Sequence, residues 1–144
     1  MSGLQPDEAK DEVLDLFKAH WDAAALVIAL APTVVYDNEE AGTLTPPWAR
    51  VSVLMGDGGG QRTLSEPGRR TFERLGVAVV QVFGVKAKGV TTPLRLAKIA
   101  LDAFEGEKTP GGVWFRNARI VTVGPGRDAY QVNAVVEFAF DEIK

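Results

Sequence analysis

The run Gly56-Asp-Gly-Gly-Gly60 is the first place in this chain to look for chemistry, because glycine-rich loops can cradle phosphate. A phosphate loop needs Lys followed by Ser or Thr after its glycines, and a helix whose N-terminus supplies donors and dipole. Here Gln61-Arg62-Thr63 follows, and the next regular element reads as a strand. A dinucleotide fingerprint fails on the same ground. The run reads as a turn between strands.

Other reactive residue types fare no better. His20 is the sole histidine and there is no cysteine, so a zinc site would need carboxylates for all its remaining ligands. Asp7, Glu8 and Lys10 echo the acidic pair and lysine of metal-dependent nucleases, as do Glu105, Glu107 and Lys108. That chemistry gathers its groups on adjacent strands around magnesium, whereas these two clusters start and end helices. Ser2, Ser52 and Ser65 lie in no nucleophile-elbow context. Trp48, Trp114 and Tyr130 could offer an aromatic platform for bases, yet core packing explains aromatics on strands more often. Asp141 and Glu142 read as a solubilising end. No catalytic, metal or cofactor-binding residue is assigned.

Composition bounds the class of protein. The 144 residues are 46% hydrophobic and 24% charged, as in one ordinary globular domain. The net charge of −3 disfavours a protein that grips nucleic-acid phosphates, which needs a basic surplus. The N-terminus carries Asp7, Glu8, Asp11 and Glu12 ahead of any apolar run, and the run Ala23 to Ala31 is too short to span a bilayer. No membrane association and a cytoplasmic site of synthesis are expected.

The elements follow from periodicity. A first helix begins near Pro6, with Val13, Leu14, Phe17, Trp21, Ala24, Ala25 and Ile28 forming its apolar stripe and Pro32 limiting it. Thr33 to Tyr36 is a short apolar segment, and Asp37 to Pro47 is turn-rich. Trp48 to Met55 alternates as a strand, with Ala49, Val51, Val53 and Met55 on one face. After a polar, flexible excursion over about 56–68, Val77 to Val85 is apolar on nearly both faces and reads as a central strand. Thr91-Thr92-Pro93 reads as an N-cap followed by proline, opening a second helix with Leu94, Ala97, Leu101 and Phe104 as its stripe. A bulged strand over 113–123, a turn at Gly124 to Asp128 and a strongly alternating strand from Tyr130 complete the chain. The expected architecture is one α+β domain over 1–144, a mostly antiparallel sheet with both helices on one face.

From Trp48 onward the order of pieces resembles the tail terminator (tail completion) proteins of long-tailed bacteriophages and related tail-like particles. The resemblance rests on Trp48-Ala-Arg50-Val-Ser52-Val-Leu54, then Gln61-Arg-Thr-Leu64, then Arg69-Arg-Thr-Phe72-Glu-Arg-Leu-Gly76 leading into Val-Gln81-Val-Phe83. Lys88-Gly89, the helix ending Asp102-Ala-Phe104-Glu-Gly106, and Tyr130-Gln131-Val132-Asn133 complete it, about two-thirds of the chain in all. The family pattern often has glycine near Ser65, where this chain departs from it.

The resemblance implies a virion protein, assembled in the host cytoplasm. It would form a homo-oligomeric, hexameric ring on the head-proximal end of the tail tube. That ring stops tube polymerisation and offers a docking surface to the head-tail connector or stopper protein, while DNA passes through its lumen without specific binding. No catalytic residue or cofactor is implied. The residues expected at subunit or tube interfaces are Arg50, Arg62, Glu66, Arg69, Arg70 and Lys88, with the arginines meeting acidic groups on neighbouring molecules. Another head-tail joining protein is the alternative within that setting; a small ligand-binding domain or enzyme is the alternative outside it.

Overall fold

A computed structural model of the chain describes residues 3–27, 33–36, 39, 42, 44–56 and 59–144. In chain order the elements are α1 (Pro6–Val27), β1 (Thr33–Tyr36), β2 (Trp48–Met55), β3 (Thr71–Val85), α2 (Thr91–Phe104), β4 (Trp114–Pro125) and β5 (Ala129–Ile143). The strands form one five-stranded sheet in the order β1-β2-β3-β5-β4. Among the described residues β1 and β2 run parallel and the remaining pairs are antiparallel. This is the expected α+β fold, with the helices packed against the sheet.

Alternation along the strands builds the core. Ala49, Val51 and Val53 of β2, Ala78, Val80 and Val82 of β3, and the even-numbered Val132 to Phe140 of β5 are buried together. Onto that face α1 lays Ala9, Val13, Phe17 and Trp21, and α2 lays Leu96, Ala97, Ala100, Leu101, Ala103 and Phe104. Phe17 joins the two helices, with its ring centroid 5.2 Å from Trp21 and 6.0 Å from Phe104. Helix α1 starts with proline at its first position, and Glu8 Oε1 accepts the Gln5 backbone N–H at 3.1 Å, half of a capping box.

Several expectations change. Strand β3 begins at Thr71, well before Val77, because residues 71–76 pair with 138–143 of β5. The cap of α2 is Val90, with no side-chain cap bond, so Thr91 already lies inside the helix. Leu94 faces solvent and Leu96 takes its place in the stripe, while Met55 ends exposed. In α1 the buried stripe is Ala9, Val13, Phe17 and Trp21, with Leu14 and Ala24 half-buried; Ile28 and Pro32 lie outside the described residues. Strand β4 is bulged as expected, its register against β5 shifting between Arg116 and Arg119 and again between Thr122 and Gly124.

Asp141 and Glu142 are not a loose solubilising end. Both are strand residues of β5, and Glu142 is 9% exposed, held by Arg74 across the ladder at 2.9 Å. A carboxylate that shielded needs a partner, and the guanidinium of Arg74 provides one.

Candidate functional site

Two features stand out at opposite ends of β3. The first is the tip of the β2–β3 hairpin. Beyond Met55 the backbone stays tied to β3: the Gly56 N–H bonds the Leu75 carbonyl, the Gly60 carbonyl accepts the Glu73 N–H, and the Arg62 N–H bonds the Thr71 carbonyl. Gly59 sits at φ +78°, and a β-carbon there would fall 2.9 Å from the Glu73 carbonyl carbon, so this close approach requires glycine. The excursion expected over 56–68 is thus laced to β3 at Gly56, Gly60, Gln61 and Arg62.

Glu66, Pro67, Gly68 and Arg69 form the turn proper. The Arg69 N–H bonds the Glu66 carbonyl at 2.9 Å and Gly68 has φ +87°, as a type II turn requires after proline. Thr63 Oγ1 accepts the Thr71 N–H at 3.0 Å, and Arg70 Nε donates to the Ser65 carbonyl at 2.9 Å. These bonds hold the tip in shape while leaving Leu64 96% exposed.

The second feature is a cleft on the helix-free face of the sheet, where β2 begins and β3 ends. Trp48 and Phe83 are paired across the ladder with ring centroids 4.2 Å apart and planes 17° from parallel. The Arg50 guanidinium lies 5.5 Å from the Trp48 ring centre, a cation–π contact. Leu44 and Pro46 line one side, and Arg127 and Asp128 of the β4–β5 turn line another, enclosing about 460 Å³. Among the described residues, neither the Arg127 guanidinium nor the Asp128 carboxylate has a side-chain partner.

The expected interface residues divide between these places. Arg62, Glu66, Arg69 and Arg70 gather at the tip, Arg50 lies in the cleft, and Lys88 is exposed in the turn after β3, away from the tip. Arg62 finds its acids inside the chain, Asp141 at 3.1 Å and Glu73 at 3.6 Å. Arg70 is committed to the Ser65 carbonyl, so among the described residues Arg69 is the one tip arginine whose guanidinium has no bond.

Leu64, Phe83, Arg127 and Asp128 are not among the residues expected at an interface. The Glu66-Pro67-Gly68-Arg69 turn was the signal for the tip. The cleft needs the β2–β3 register to bring Trp48 beside Phe83. Trp48, Trp114 and Tyr130 are not brought together, since β4 and β2 are at different sides of the sheet.

Among the described residues no three His, Asp or Glu side chains are grouped to hold a metal. His20 is exposed on α1. Tyr36 is pushed above its ordinary value by burial and then by Asp22 and Glu39, and Lys98 is raised by its hydrogen bond to Asp102. Among the described residues no helix is long and apolar enough to cross a membrane.

No protein-family model matches the chain, and no curated protein matches it. It is similar in fold to a solved structure of 17% sequence identity, at a TM-score of 0.59 over 88% of this chain and 94% of that one. At that identity the likeness shows a shared fold and nothing about activity.

Proposed function

We propose that this chain is a structural subunit of a phage-type tail, working as a tail terminator. Copies would form a hexameric ring on the head-proximal end of the tube, end its growth and present a surface to the head connector. The observation that carries the reading is the hairpin tip. A run of backbone and side-chain bonds fixes a polar turn whose most prominent group, Leu64, contributes nothing to the chain's own core. Shaped turns that hold an apolar side chain in water at the end of a rigid sheet are suited to docking. The α+β architecture is the one the resemblance implies.

Within this reading Arg69 is the arginine free to meet an acidic group on a neighbour, while Arg62 and Arg70 shape the tip. Electron microscopy of particles assembled without the protein tests the role. Over-long tail tubes are expected. Tails of normal length beside unjoined filled heads would make it a joining factor instead, and intact particles would remove it from the tail altogether.

A further inference from the structure

We infer that the hairpin tip of one copy docks in the Trp48–Phe83 cleft of the next, giving a head-to-tail contact between subunits. This rests on the reading that the chain works by assembling with copies of itself.

Three observations lead there. The first is distance. Phe72, which pairs with Gln61 at the base of the tip, and Phe83, in the cleft, are separated by about 35 Å of extended strand. A tip so bonded to β3 cannot fold back into its own cleft, so an occupant of this kind must come from another molecule. The second is shape and polarity. The cleft floor is the stacked Trp48–Phe83 pair with Leu44 and Pro46 beside it, an apolar seat for one branched side chain. Leu64 is that side chain, exposed and flanked by polar neighbours.

The third observation is charge. The tip carries Glu66 and Arg69, whose side chains have no partner within the chain among the described residues. The tip thus offers one free acid and one free base, and the rim offers Arg50, Arg127 and Asp128, so the two patches are complementary in sign. Such complementarity sets orientation and partner choice more than affinity. Because tip and cleft are different patches at opposite ends, the contact is heterologous: it closes into a ring at a fixed rotation per subunit or else continues as a filament.

The chain contains no cysteine, so introduced thiols report this contact cleanly. Ser65 at the tip and Thr45, between Leu44 and Pro46, are both exposed. The full-length Ser65→Cys/Thr45→Cys variant, treated with a short bismaleimide, should give a ladder of covalent multimers. An equimolar mixture of the two single variants should yield mixed dimers and nothing larger, since each then has one reactive end. Leu64→Asp, at a position exposed enough to leave folding intact by circular dichroism, should reduce cross-linking at least tenfold. Glu66→Lys should weaken it, and adding Arg127→Glu should restore it.

Absence of a ladder at high protein concentration would overturn the contact, as would a ladder indifferent to Leu64→Asp. Cross-links from Thr45→Cys to added tube subunits, in place of a second copy, would also overturn it and give the cleft to that partner. Over-long tubes without a ladder would leave the tail role standing and remove only this contact. A ladder from a chain whose loss leaves tails normal would do the reverse.

Discussion

Gly76 and Phe138 face each other across the β3–β5 ladder, with the phenylalanine ring lying over the glycine where a side chain would otherwise stand. A β-carbon at residue 76 would fall against that ring, 2.7 Å from Cε2, and 2.8 Å from the Leu54 carbonyl. Phe138 in turn is fully buried and touches Phe115 and Phe140 by its ring. One vacancy in β3 therefore admits an aromatic to the middle of the core.

Gly76→Ala should destabilise the chain by about 1–3 kcal/mol through overpacking, read as a lower denaturant midpoint at unchanged slope. Phe138→Leu removes the ring atoms that the new methyl strikes and leaves the Leu54 carbonyl in place. The double variant should lose less than the sum of the two singles; strict additivity would mean that the ring is not what the methyl meets.

Phe17 joins both helices to each other, stacked on Trp21 and on Phe104. Both Phe17 and Phe104 are fully buried, so Phe17→Ala and Phe104→Ala should each cost about 3–5 kcal/mol in equilibrium unfolding. Losses below about 1 kcal/mol would be the size of a surface substitution and would place these rings outside the core.

Two of the ion pairs at the hairpin end should separate sharply. Arg62–Asp141 is open to water on both sides, and such pairs contribute about 0–1 kcal/mol, so Arg62→Ala should barely move stability. Glu142 is shielded and bonded to Arg74, and Glu142→Ala leaves that guanidinium without its acceptor; a loss of about 1–3 kcal/mol is expected. Equal effects from the two substitutions would contradict the difference in burial.

Tyr36 sets a pH dependence at the alkaline end. Burial first, then the carboxylates of Asp22 and Glu39, raise its phenol above 10.0. The folded chain holds that proton more tightly than the unfolded chain does. Its stabilising contribution is therefore complete below about pH 10 and is lost as pH climbs through the folded value. Wild-type stability should fall more steeply above pH 10 than that of Tyr36→Phe. Parallel curves for the two proteins would show that Tyr36 titrates as it does in an unfolded chain.

What the sequence made legible is what depends on neighbours in the chain. The alternation in β2 and β5, the apolar centre of β3 and the bulge in β4 are all local patterns, and each marks its strand. The early half of β3 is not local. Its Glu73 and Arg74 break the apolar run, and they are strand because Asp141 and Phe140 pair with them from the far end of the chain. The same separation hid the role of the acidic end and of Arg62. At α2 the threonines suggested a cap, yet packing placed Pro93 in the core and drew the helix start back to Val90. The tip arginines were expected from the resemblance, whereas the cleft at the other end of β3 exists only once register sets Trp48 against Phe83.

The two register breaks in β4, one of them holding Asn117 at φ +54°, bear on how such a molecule survives crowding. Its outward rim displays Ile120, Val121 and Val123 to solvent, the very residues along which a stray polypeptide would zip. Two register breaks interrupt the straight template that such pairing would need along this border. Straightening β4 by deleting its extra residues should yield a protein that binds thioflavin and precipitates; one that stays clear would show that the kinks serve another purpose.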